Sequence, residues 1–122
     1  MTDSVTVPEL AQFSSIAEYY STLFHELTHS TGHVSRLNRL SKEVSFGSEV
    51  YSKEELVAEL GAAFLVSHVG LETLGSFRNS AGYIQSWLKA LREDKRLIVS
   101  AAGKADKAVA MVLGHSESDA PV

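Results

Sequence analysis

Between Leu56 and Val66 the chain carries one charged residue, Glu59, in a run of leucine, valine, alanine, glycine and phenylalanine. A helix that is apolar on every side has no face to offer water and must be enclosed by other elements. Its start is expected at Ser52, because Ser52-Lys53-Glu54-Glu55 fits a capping box, and its end near Val69-Gly70. Glu55 and Glu59 then lie one turn apart on one face of a helix bound for the interior. A carboxylate placed there needs a partner charge or a metal ion. The plainer alternatives are a capping role for Glu55 and an ion pair between Glu59 and Arg36 or Arg39.

Upstream, Phe24-His25-Glu26-Leu27-Thr28-His29-Ser30-Thr31-Gly32-His33 contains His-Glu-x-x-His. Residues four apart share a helix face, so His25 and His29 can offer their imidazoles to one ion. Glu26 follows directly and can act as general base, taking a proton from metal-activated water; this is the arrangement of a zinc hydrolase. The competing reading is a helix with two histidines on its polar face. The segment should be helical from a capping box at Ser15-Ile16-Ala17-Glu18 to about Thr31, where Gly32 can end it. Ile16, Tyr19, Tyr20, Leu23, Phe24 and Leu27 recur at helical spacing and mark its expected buried face. The chain has no cysteine, so any metal must be held by histidine, carboxylate and water. Glu55 and Glu59 are the natural source of a third ligand.

The rest of the chain reads as scaffold around these two helices. Val5-Thr6-Val7, stopped by Pro8, fits either a short N-terminal edge strand or a frayed terminus. Residues 34–51 form a long connection with Arg36 and Arg39, read as surface or ion-pair residues ahead of anion ligands. A loop is expected over 71–79, a third helix over 80–94 and a fourth over 97–113. The expected fold is therefore mainly α, with about four helices in one domain over residues 1–114 and a disordered tail over 115–122. The net charge of -4 argues against general affinity for a nucleic-acid backbone. No apolar run reaches membrane-spanning length and no signal sequence opens the chain, which points to a cytoplasmic location without a membrane partner.

The third ligand separates the zinc families. In the metzincin pattern a histidine lies three residues beyond the glycine; Gly32 fits, but Ser35 occupies that place. His33 is off the pattern and is read as lying beside a ligand or the substrate. Glu55-Leu56-Val57-Ala58-Glu59 resembles the acidic segment of the gluzincin peptidases. That resemblance implies Glu55 as third ligand and Glu59 as the carboxylate that orients a ligand histidine. Glu59 stands where that family often has aspartate, which leaves the two roles exchangeable.

The run Glu18 to His33, then Arg36-Leu37-Asn38-Arg39, Tyr51 to Ala62 and Ser80 to Leu88, is similar to the C-terminal metallopeptidase domain of ArdC-type antirestriction proteins of plasmids and phages. The resemblance implies a compact zincin-like helical domain, a bound Zn2+ and a protein or peptide substrate. Such proteins also carry an N-terminal domain for single-stranded DNA, for which 122 residues leave no room, so DNA binding is not carried over. Tyr51 and Tyr83 are candidate oxyanion or substrate groups, with packing as the ordinary alternative. Two functions are open: a zinc peptidase with Glu26 as base, or a non-catalytic, zinc-stabilised antirestriction or protein-interaction module.

Overall fold

The computed structural model describes residues 3–40, 49–71 and 74–114. Among them are a 3-10 turn at Leu10–Gln12 and five helices: α1 (Ile16–Ser30), α2 (Glu49–His68), α3 (Leu74–Gln85), α4 (Leu88–Glu93) and α5 (Arg96–Val112). The fold is mainly α, as expected. The described residues form no strand, so Val5-Thr6-Val7 is not the edge strand that was one of its readings. With no neighbouring strand to pair with, the alternation there has no ladder to join.

α1 starts where its sequence says. Ser15 is extended, and its hydroxyl accepts from the Glu18 backbone N–H at 3.1 Å. The Glu18 carboxylate accepts from the Ser14 hydroxyl, so only half of the capping box is formed. The expected buried face is formed only in part: Tyr19, Leu23, Phe24 and Leu27 are half-buried. Ile16 and Tyr20 are exposed, and the buried residues of α1 are the small ones, Ala17 and Thr28. The cause lies on α2, where a Cβ added to Gly61 would sit 2.6 Å from the Thr28 Cγ2. The helices cross so closely there that only small side chains fit between them. The aromatic residues are displaced to the flank, where Phe13, Tyr19, Tyr20 and Phe24 follow one another at centroid spacings of 5.1–5.9 Å.

α2 is the central element, packed against α1, α5 and α3. Leu56, Val57 and Leu60 form a cluster with Ala101 and Ala105 of α5, flanked by Tyr83, Ile84, Trp87 and Ile98. The alanines at 101, 105 and 108 give α5 a flat face that can approach α2 closely. α2 begins at Glu49, before the expected cap, so Ser52 lies inside the helix and Glu55 has no capping role. Neither glycine nor proline interrupts Glu49-Val50-Tyr51, and the helix runs back through them. The expected loop at 71–79 also shrinks. α3 already begins at Leu74 and takes in Gly75 and Asn79 despite their poor propensity. The single helix expected over 80–94 is broken instead at Ser86-Trp87, where the Ser86 hydroxyl donates to the Tyr83 carbonyl at 2.5 Å. The expected disordered tail lies outside the described residues.

Candidate metal centre

α1 delivers His25 and His29 one turn apart, and the close crossing at Gly61 brings α2 up to them. His25 Nε2 and His29 Nε2 face each other at 3.1 Å. Glu55 reaches both, with one oxygen 2.7 Å from His29 Nε2 and the other 3.2 Å from His25 Nε2. Among the described residues these are the group whose ligand atoms could hold a metal ion. Donors about 2.0–2.1 Å from one tetrahedral ion stand about 3.3 Å apart, so the three side chains fit a shared cation with little adjustment.

The outward sides of both rings are held as well. His25 Nδ1 lies 3.3 Å from a Glu59 oxygen, and His29 Nδ1 lies 2.9 Å from a Glu54 oxygen. An ionised carboxylate can only accept, so Glu59 and Glu54 each favour Nδ1–H, while Glu55 favours Nε2–H unless a cation takes that side. With a cation there, both Nδ1 atoms keep their protons. In a neutral imidazole that leaves a bare lone pair on each Nε2. Two such lone pairs then converge with the Glu55 carboxylate, an array of acceptors with no donor among them. A divalent ion shared by all three satisfies them together while both Nδ1–H groups stay on their own carboxylates. Burial lowers the His25 pKa, but the Glu59 hydrogen bond and the charges of Glu55, Glu59 and Glu26 outweigh it and raise the pKa overall. Positive charge is thus favoured at this point.

Glu54 is the residue that the sequence reading missed. Among the described residues it is the one charged side chain that is buried. Burial raises its pKa, yet the His29 and Arg39 hydrogen bonds and the Arg39 charge more than reverse this and hold it below the usual carboxylate value. Arg39 donates from Nε at 2.8 Å to one Glu54 oxygen and from Nη2 at 3.1 Å to the other. The arginine was legible as a surface or ion-pair residue, and the partner considered for it was Glu59; the partner found is Glu54. The signal that pointed to Glu54 was its place beside Glu55; with the helix start set at Ser52, it read as part of a cap.

Other candidates fall elsewhere. His33 is exposed and its Nδ1 is 2.8 Å from the Ser35 hydroxyl. Tyr83 is half-buried against the Leu56–Val57–Leu60 cluster. The Tyr51 side chain lies outside the described residues. Arg36 forks onto Asp3 at 2.7 and 3.0 Å and donates to the Ser30 carbonyl at 2.6 Å, where it also complements the negative end of α1. A cavity of about 500 Å³ is lined by Arg39, Glu54 and α5 residues but does not include His25, His29 or Glu55.

Residues 1–104 match the family model of the zincin-like metallopeptidases. The chain belongs to that family. This zincin-like chain is 46% identical to the antirestriction protein ArdC of plasmid R388 in a Mn(II)-bound crystal structure, with a TM-score of 0.69 over 88% of its length. The metal-free ArdC structure gives a TM-score of 0.64 over 94%. The chain is also 43% identical over 116 residues to the DNA primase TraC of Escherichia coli and 40% identical over 119 residues to the uncharacterised protein y4eC of Sinorhizobium fredii. It spans 39% of the Mn(II)-bound ArdC chain, 11% of TraC and 38% of y4eC, so each relative contains much that this domain does not. The antirestriction resemblance drawn from the sequence is upheld. Among the described residues no helix is long and apolar enough to cross a membrane.

Proposed function

We propose that this chain is a zinc-dependent peptidase domain of the ArdC-like kind, with His25, His29 and Glu55 as the metal ligands and Glu26 as general base. The observation that carries the reading is the convergence of two imidazole Nε2 atoms and one carboxylate, each ring held from behind by a further carboxylate. Neutral nitrogen donors with one carboxylate suit zinc, while the Mn(II) in the related ArdC structure makes manganese the competitor. A bound divalent ion there supplies Lewis acidity, polarising a substrate carbonyl and lowering the pKa of water.

The side chains account for the remainder. Glu59 and Glu54 fix the two imidazoles with Nε2 turned to the common point. The site is open enough for a substrate to approach, since the His25, His29, Glu55 and Glu59 side chains keep 20–25% of their surface exposed. Glu26, next to His25 and half-buried, accepts a proton on its carboxylate as water adds to the peptide carbonyl. It returns that proton to the amide nitrogen, the C–N bond breaks, and the amine leaves neutral. The substrate is a protein or peptide, and no DNA contact is assigned to these residues.

A second reading has its own support, because the similar solved structures are of an antirestriction protein and the cavity against Arg39 and Glu54 does not reach the ligand cluster. In it the metal is structural and the domain acts by binding protein. Metal analysis together with cleavage of an unfolded protein substrate by wild type and Glu26→Gln separates the two. Metal-dependent cleavage that disappears in the variant supports the peptidase. Antirestriction activity that survives Glu26→Gln supports the binding module.

A further inference from the structure

The segment after α1 doubles back onto it. Leu37 N–H donates to the Thr31 carbonyl at 2.8 Å and Leu40 N–H to the Gly32 carbonyl at 2.9 Å. Asn38, at φ 56°, takes the left-handed conformation that turns the chain. The result is to aim Arg39 inward between the two ligand-bearing helices, where its side chain is only 9% exposed and that of Glu54 only 7%. Besides its fork on Glu54, the guanidinium donates to the Thr28 carbonyl at 2.7 Å and to the Thr31 hydroxyl at 2.8 Å. Gly32 makes room for it, since a Cβ there would stand 3.1 Å from Arg39 Nη2. Gly32 does not have a left-handed φ, so space, not backbone freedom, explains the glycine.

We propose that Arg39 is a positioning residue for the metal centre: through Glu54 it orients the His29 ring with Nε2 toward His25 and Glu55, and it favours the Nδ1–H tautomer over the Nε2–H form that Glu55 favours. The inference rests on the metal-centre reading given above. A buried carboxylate without its cation is strongly disfavoured, so Glu54 can accept from His29 only while Arg39 stays docked. Arginine is needed in place of lysine because one planar group must serve a carboxylate, a carbonyl and a hydroxyl together. The clamp also ties α1, which carries both histidines, to α2, which carries Glu55. Docking of the 33–40 segment and cation binding therefore support each other.

The test uses the full chain stripped of metal by chelation, and reads two quantities. One is the His29 tautomer from ring-nitrogen chemical shifts, in buffer alkaline enough for neutral rings. The other is affinity for added zinc by calorimetry. Wild type should show a substantial Nδ1–H population at His29, set by competition between Glu54 on Nδ1 and Glu55 on Nε2. Arg39→Met should move that population toward Nε2–H and weaken zinc by about 10–100-fold. Glu54→Gln, whose amide oxygen can still accept from Nδ1–H, should keep the tautomer and lose less affinity. Arg39→Lys, the variant to use should Arg39→Met fail to fold, should lie between. An unchanged tautomer and unchanged zinc affinity in a folded Arg39 variant would overturn the proposal. A wild type that binds no zinc, with the tautomer still moved by Arg39→Met, would overturn the metal reading and with it the positioning role, and would leave Arg39 only as the group that orients His29.

Discussion

Gly61→Ala is the most demanding test of how the centre is assembled. In an isolated helix this change stabilises by about 0.8–1.0 kcal/mol, since alanine is the better helix former. Here the new methyl would stand 2.6 Å from Thr28 Cγ2 and 2.7 Å from Thr28 Oγ1. Carbon atoms pack comfortably at about 3.5–4.0 Å, so α1 and α2 must part by about 1 Å at the crossing. Overpacking of this kind costs about 1–3 kcal/mol, which exceeds the propensity gain and leaves the variant less stable by up to about 2 kcal/mol.

Thr28 lies between His25 and His29, and Gly61 two residues beyond Glu59, so the same displacement pulls Glu55 from the histidines. Metal–ligand distances tolerate only about 0.2 Å, and zinc affinity should fall by about tenfold or more. Thermal unfolding of the metal-free protein and zinc calorimetry measure the two effects separately. Thr28→Ala removes both nearest atoms, so the Gly61→Ala/Thr28→Ala double variant should recover much of the affinity lost by Gly61→Ala. A Gly61→Ala protein that is more stable than wild type and binds zinc as tightly would refute the argument that this crossing sets the site.

The other expectations are more direct. Glu26→Gln should keep its metal and lose about 100–10,000-fold in peptide cleavage, read by turnover of an unfolded protein at equal zinc occupancy. His29→Ala and Glu55→Ala should each lose bound zinc by elemental analysis, whereas Glu59→Gln should retain it with affinity lowered by about 10–100-fold; zinc kept by Glu55→Ala and lost by Glu59→Gln would exchange the two roles. Glu54 has a folded-state pKa below the ordinary 4.5, so the stability it contributes is present in full above that value and is lost as pH falls through the lower, folded-state value. Acid unfolding of Glu54→Gln in the metal-free protein should accordingly begin less steeply than that of wild type. Finally, adding zinc at about 100 times its dissociation constant should raise stability by about 2.7 kcal/mol and chelation should reverse it, which a shift in thermal midpoint would show.

How much was legible in the chain varies with the range of the force involved. Patterns set by neighbours along one helix were readable: the Ser15 cap, the single-face placement of His25 and His29, the apolar α2 that had to be central. The pairing of a two-histidine helix with an acidic one followed from chemistry, because bare imidazoles and buried carboxylates both demand a cation. Helix ends were less legible. Ser52-Lys53-Glu54-Glu55 has the letters of a cap, but nothing local stops the helix from running back to Glu49. Ser86-Trp87, with no glycine or proline of its own, breaks what read as one helix.

What only the tertiary structure decided is which atoms meet. The spacing of Glu54, Glu55 and Glu59 puts all three on α2, but the angle at which α1 crosses it sends Glu55 to both Nε2 atoms, Glu59 to one Nδ1 and Glu54 to the other. The close approach that makes this possible is at Gly61 and Thr28, a steric fit between residues far apart in the chain. Arg39 likewise reads as a surface cation until the turn at Asn38 folds it inward. Helical periodicity and side-chain chemistry are carried by the chain itself. Which carboxylate meets which nitrogen depends on excluded volume between elements, and no local pattern encodes that.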